Sequence, residues 1–168
     1  MADTGFKSPS SSTTGGWTSL SNCYSSNNVY ATTFSTTFVS GDVSVFAFGV
    51  PSGATIDGIE ITAEFSLNAS VNTATVQLSI SGNGGSAYSA TKSNTVTGST
   101  DTVKTYGGPT DLWGEASFSE YGTQDGNFYV KVEGKTSNAS FSCRLDHLQA
   151  KIYYTEGNAS GFFLLMGA

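Results

Sequence analysis

The sequence predicts an all-β fold, an antiparallel two-sheet sandwich of jelly-roll kind with about eight strands. Three observations carry that prediction. Apolar residues recur with a period of two, and no stretch carries helical periodicity. Gly is abundant (20 residues) and Pro scarce (3), as many short strands and tight turns require. Ser and Thr dominate a chain in which only 12% of residues are charged, so its surface is hydroxylated rather than ionic.

In chain order, residues 1–16 are Ser, Thr and Gly with a single aromatic, Phe6. Such a segment buries too little to repay the entropy of ordering, so it reads as a flexible arm that needs a partner surface. Residues 17–155 form the sandwich. Val29 to Phe34 and Val43 to Phe48 read as strands, the second an almost unbroken apolar run suited to cover on both faces. Ile59, Ile61, Ala63, Phe65 and Leu67 alternate with polar residues and give the clearest strand. Val76, Leu78 and Ile80 give the next, followed by the turn GNGG and a shorter polar strand around Tyr88. Phe128, Val130 and Val132 alternate between two glycine turns. In FSCRLDHLQAKIYY the apolar phase is Phe141, Cys143, Leu145 and then Leu148, Ala150, Ile152, Tyr154. One residue is inserted near Asp146-His147, and a β-bulge there keeps both halves facing the core.

Several functions are argued against by composition. With 13 acidic and 7 basic residues the net charge is −6, which disfavours a phosphate-backbone ligand and hence nucleic acid. The first residues lack a basic end followed by an apolar run, and no stretch is long enough to span a bilayer, so a soluble chain made in the cytoplasm and without a membrane partner is expected. Cys23 and Cys143 lack metal-ligand spacing and read as buried or incidental thiols; no metal and no cofactor is expected. The sequons at Asn68, Asn138 and Asn158 sit in Ser-rich context and read as chance matches. The lone histidine, His147, adjoins Asp146, but strand neighbours face opposite ways and no serine or cysteine sits in a nucleophile elbow. Glu60 and Glu64 read as solvated charge on a polar strand face rather than a glycosidase pair, and Asp125-Gly126-Asn127 as a turn rather than a calcium loop. No enzyme is predicted.

Two features remain. The loop YGGPTDLWG places Trp113 either on the surface, where it could stack on a sugar with Tyr106 and Tyr121, or folded back as a plug over an open end of the sandwich. The tail, residues 156–168, ends in Phe162, Phe163, Leu164, Leu165 and Met166, an apolar patch that must dock in cis or against a neighbouring subunit.

The stretches FGVPSGATIDGIEITAEF, TYGGPTDLWGEASFSEYGTQDGNFYVKV and RLDHLQAKIYY resemble a β-sandwich domain of tailed-bacteriophage structural proteins, both head decoration and tail appendage proteins. The resemblance covers most of the body and brings no catalytic residues. It implies a virion surface role: a capsid decoration or cement protein, typically a homotrimer, that clamps the major capsid protein, with Phe6 and the apolar tail as contacts. The alternative is a carbohydrate- or receptor-binding module of a tail appendage or cell surface, stacking glycans on Tyr106, Trp113 and Tyr121.

Overall fold

The structure, a computed structural model, describes residues 1–13 and 15–157. The apolar tail contacts expected at Phe162, Phe163, Leu164, Leu165 and Met166 lie outside the described residues. Among the described residues ten strands form two antiparallel sheets of five: β1 (Ala2–Asp3), β2 (Ser11–Thr13), β3 (Ala31–Thr33), β4 (Val39–Ser44), β5 (Thr55–Leu67), β6 (Thr73–Ser81), β7 (Lys92–Thr97), β8 (Thr102–Gly108), β9 (Tyr129–Thr136) and β10 (Cys143–Thr155). One sheet runs β1-β10-β5-β8, with β3 also on β10; the other runs β2-β4-β9-β6-β7. The all-β two-sheet sandwich is as the periodicity foretold; β1, β2 and β8 are strands that the apolar pattern did not mark.

The two thirteen-residue strands, β5 and β10, pair along their whole length and present Ile59, Ile61, Ala63, Phe65 and Leu67 opposite Ile152, Ala150, Leu148, Leu145 and Cys143. All ten of these side chains are buried. The facing sheet supplies Val43, Val76, Leu78, Ile80, Val130 and Val132, and the two inner faces merge into one core. The register slips between Leu145 and His147, so Asp146 is the extra residue of a β-bulge at the predicted place. The slip keeps Leu145 and Leu148 in the core although three positions separate them.

Residues 1–16 read in the sequence as an arm awaiting a partner surface; those the structure describes, 1–13 and 15–16, find a surface on their own domain. β1 pairs with the end of β10, Lys7 bridges Ala150, and β2 pairs with β4 in the other sheet. The physical reason is that edge strands offer unpaired N–H and C=O groups, and pairing with them needs backbone alone, so a run of Ser and Thr serves. Phe6 remains partly exposed, with the Lys151 ammonium 4.4 Å from its ring centroid.

Two strand expectations are corrected. The run from Val43 to Phe48 leaves the sheet at Ser44, and Val45 (φ 60°), Ala47 (φ 51°) and Gly49 (φ 67°) then adopt left-handed backbone. This alternation turns both Phe46 and Phe48 inward, stacked 5.2 Å apart at 3°, with Phe128 edge-on to each. A β-branched residue at positive φ is strained by about 1–3 kcal/mol, which the phenylalanine cluster offsets. The turn Asp125-Gly126-Asn127 helps to hold this segment, since the Asp125 carboxylate accepts the Ala47 N–H at 2.9 Å. The polar strand expected around Tyr88 lies later, at Lys92–Thr97, because residues 82–91 form a longer loop.

Cys23 and Cys143 are free and wholly buried, and burial pushes both thiols up to about 12. Reactivity requires the thiolate. Neither cysteine should react with an aromatic disulfide reagent at mildly alkaline pH in the folded protein, and both should react in guanidinium chloride; rapid labelling of either in native protein would contradict this packing.

Candidate functional site

A groove of about 230 Å³ opens where the end of β6 meets two loops. One wall is Ile80, Ser81 and the 82–91 loop with Asn83, Tyr88 and Ser89; the other is Glu115, Ser117, Phe118 and Ser119 from the 109–128 segment. Phe118 packs edge-on against Phe128 at 6.1 Å, which ties the groove to the aromatic cluster beneath. Its ring also presses on two glycines. A Cβ on Gly82 would lie 2.6 Å from the Phe118 ring, and one on Gly122 would lie 3.0 Å from it, so no larger residue fits either place unless the ring shifts.

The 82–91 loop is held by its own hydrogen bonds. The Ser81 hydroxyl donates to the Asn83 carboxamide oxygen at 2.7 Å and accepts the Gly85 N–H at 3.0 Å. The same Asn83 oxygen accepts the Ala87 N–H at 3.0 Å, and the Ser89 hydroxyl accepts the Ile80 N–H at 3.0 Å. Tyr88 is fixed at both ends: its hydroxyl donates to Asp42 at 2.7 Å, and the Lys131 ammonium sits 3.7 Å from its ring centroid. Burial, then the hydrogen bond and charge of Asp42, push the Tyr88 phenol above its ordinary range, so it stays protonated as a donor. The Glu115 carboxylate, the Ser117 hydroxyl and the Asn83 amide nitrogen have no side-chain hydrogen bond among the described residues and remain available to a ligand.

The three residues proposed from sequence for sugar stacking separate. Tyr121 is 65% exposed and directly precedes Gly122 of the groove. Trp113 is 1% exposed and Tyr106 3% exposed, so neither ring offers a face to a sugar. Trp113 is the plug: its indole N–H donates to the Ile59 carbonyl at 2.9 Å, and its backbone N–H to the Asp111 carboxylate at 2.7 Å. Lys92 pairs with Asp111 at 2.8 Å and holds that carboxyl below the usual carboxylate range. The space for the indole comes from Gly107 (φ 74°), where a Cβ would stand 2.1 Å from the Ile59 oxygen and 2.7 Å from the indole nitrogen.

The carboxylates singled out in sequence have different partners. Glu60 accepts from the Tyr153 hydroxyl and pairs with Lys151 at 3.3 Å, whereas Glu64 accepts from the Ser26 hydroxyl at 3.0 Å. His147 contacts the Ser8 hydroxyl through Nε2 at 2.9 Å, and among the described residues no carboxylate hydrogen bonds its other ring nitrogen. That contact fastens the N-terminal segment to β10. Sequence reasoning missed Phe118, Asn83 and Glu115 as a group. The glycines at 82 and 122 were the available signal, but only the fold shows that one ring presses on both.

No protein-family model matches the chain, and no curated protein matches it. Solved structures do. A CBM36 domain of a xylanase from the hindgut metagenome of Trinervitermes trinervoides is 15% identical, with 92% of this chain and 99% of that one covered and a TM-score of 0.45. The CBM22-1 xylan-binding domain of Paenibacillus barcinonensis Xyn10C is 11% identical over 90% and 88%, TM-score 0.44. A CBM36 carbohydrate-binding module solved with calcium and xylotriose is 16% identical over 92% and 100%, TM-score 0.40. These neighbours are carbohydrate-binding modules by description, and with every TM-score below 0.5 nothing about this chain is drawn from them. Nothing in them points to a phage protein.

Gly107→Ala should destabilise the fold by about 3 kcal/mol or more, since it strains a left-handed position and displaces the indole together. Trp113→Phe, which removes one buried hydrogen-bond donor, should cost about 1–3 kcal/mol. Urea unfolding measures both, and a Gly107→Ala protein as stable as the parent would exclude this account of the plug.

Proposed function

We propose that the protein is a carbohydrate-binding module that grips part of a glycan chain in the groove beside Phe118. One observation carries the reading: a half-buried aromatic ring, fixed from below, is flanked by a carboxylate, a hydroxyl and an amide that have no other engagement. Sugars present apolar C–H faces and a fringe of hydroxyls, so an aromatic surface with a few fixed polar groups matches both. The volume is below the roughly 300–1,000 Å³ of sites that envelop a ligand, which suits contact with a segment of a longer chain. Tyr121 extends the aromatic surface at the rim. The groove makes no demand for catalysis, and the module acts by holding its ligand.

The capsid-decoration reading, with the major capsid protein and a homotrimer as partners, is favoured by no particular feature of the described residues. The N-terminal segment pairs with its own sheets, while Phe6 stays partly exposed.

Glycan-array screening followed by calorimetry tests the groove. Glu115→Ala and Phe118→Ala should each weaken binding of the selected glycan by about tenfold, or roughly 1.4 kcal/mol. Trp113→Phe, assayed below its unfolding temperature, should leave affinity unchanged. Equal affinity in parent, Glu115→Ala and Phe118→Ala would remove the groove as the site, and no binding across plant, microbial and animal glycans would remove the function.

A further inference from the structure

Three carboxylates far apart in sequence meet on the outer face of the β5–β10 pair. They come from Glu64 in β5, Asp101 just before β8, and Asp146 in the bulge of β10, and one oxygen from each lies within 4.8 Å of the others. The bulge makes this possible, because the extra residue re-aims a side chain without disturbing Leu145 and Leu148 in the core. A cover lies over the cluster. Ser26 donates to Glu64 at 3.0 Å, the Asn27 N–H to Asp146 at 3.3 Å, and the Tyr30 hydroxyl to Asp101 at 2.9 Å.

The cluster is short of positive charge. Among the described residues no Lys, Arg or His forms an ion pair with any of the three. Arg144, the nearest cation in sequence to Asp146, sits over the Tyr30 ring, 4.9 Å from its centroid. Asp146 is only 1% exposed, and among the described residues the long bond from Asn27 is the one hydrogen bond its side chain receives.

An independent observation lies beside it. Ser66, two residues along β5 from Glu64 and so on the same face, is 0% exposed, and among the described residues its hydroxyl has no hydrogen-bond partner. The second oxygen of Asp101 is buried and, among the described residues, unpartnered as well. Buried polar atoms are nearly always satisfied, so one orphaned oxygen within the acidic cluster and another on the same face of β5 beside it indicate a missing ligand.

We propose that Glu64, Asp101 and Asp146 bind Ca²⁺ and that the ion fastens residues 24–30 onto the sandwich. The donors are all oxygen, which selects a hard cation over the transition metals that favour thiolate or imidazole. His147 is adjacent, but its Nε2 is committed to Ser8. Oxygens on opposite sides of Ca²⁺ stand about 4.6–5.2 Å apart, whereas Mg²⁺ brings them to about 4.0–4.2 Å. Donors held on three separate chain segments, with their oxygens within 4.8 Å of one another, suit the larger and more tolerant ion. Water or backbone oxygens would fill the remaining positions. The proposal is independent of the groove, which lies elsewhere and shares no residue with the cluster.

Full-length protein stripped with a chelator is titrated with Ca²⁺ in a calorimeter and melted with and without the ion. One Ca²⁺ per chain is expected, with an upward Tm shift of about 5 °C or more at saturation. Tb³⁺ bound in its place should luminesce on tyrosine excitation through Tyr30. Asp146→Asn tests the buried ligand, and Glu64→Gln and Asp101→Asn, at less buried positions, keep the test open should that variant fail to fold. Each should lower Ca²⁺ affinity at least tenfold and abolish the Tm shift. No calcium heat and no Tm change in the parent would overturn the proposal, as would unchanged affinity in Glu64→Gln and Asp101→Asn. Variants that are more stable than the parent, with no calcium response in either, would show a cluster neutralised by protons instead. Tighter binding of Mg²⁺ than of Ca²⁺ would overturn the choice of ion.

Discussion

The antiparallel pairing of β5 with β10 is the constraint on which the rest of the molecule depends. It joins two thirteen-residue strands, sets ten side chains into the core, and leaves the outer face of the pair to carry charge. Because side chains alternate strictly along a strand, a single slip would have turned half of that apolar set toward water. The bulge at Asp146 takes up one residue where the sequence phase changes, so the core stays continuous on either side. The same displacement brings a carboxylate to Glu64 and Asp101. One local irregularity thus satisfies the packing and draws three carboxylates together.

The second sheet meets this pair through the apolar side chains of one shared core rather than through further strand pairing. Phe46, Phe48, Phe118 and Phe128 form a run of stacked and edge-on contacts from the left-handed segment after β4 to the groove. Trp113 fills the space over Gly107 and Trp17 packs over Gly134, where a Cβ would lie 2.6 Å from the indole. In both places a glycine marks the seat of a tryptophan. The groove is consequently floored by a ring whose position is set by the core, the condition under which a binding surface costs little to organise.

What the sequence disclosed follows the same division. Period-two patterning located the long strands and even the bulge, because burial imposes alternation and a phase change is visible in a single line of residues. It failed where geometry depends on backbone outside the sheet: Val45 and Ala47 look like strand residues, and nothing in their side chains announces positive φ. It also failed where pairing needs no apolar side chain, as in β1 and β2. Trp113 lay between Gly and Pro, a context shared by exposed loops and by folded-back plugs, and only the gap above Gly107 decides between them. Tyr121 alone of the three stacking candidates reached the surface. The groove and the acidic cluster were illegible because the first gathers residues from two distant segments and the second from three, and convergence of that kind is a property of the fold.

The seating of the N-terminal segment also governs the order in which the molecule can form. β1 and β3 pair in their sheet with β10 alone, and β5 takes β10 as its longest partner. During synthesis these strands must wait, unpaired on that side, until residues 143–155 have left the ribosome. Such a topology has high contact order and folds slowly, with sheet edges open in the meantime. The hydroxyl-rich character of residues 1–16 then has a use before the native state exists, since a polar, sparsely apolar segment is a poor template for aggregation while it waits for its last partner.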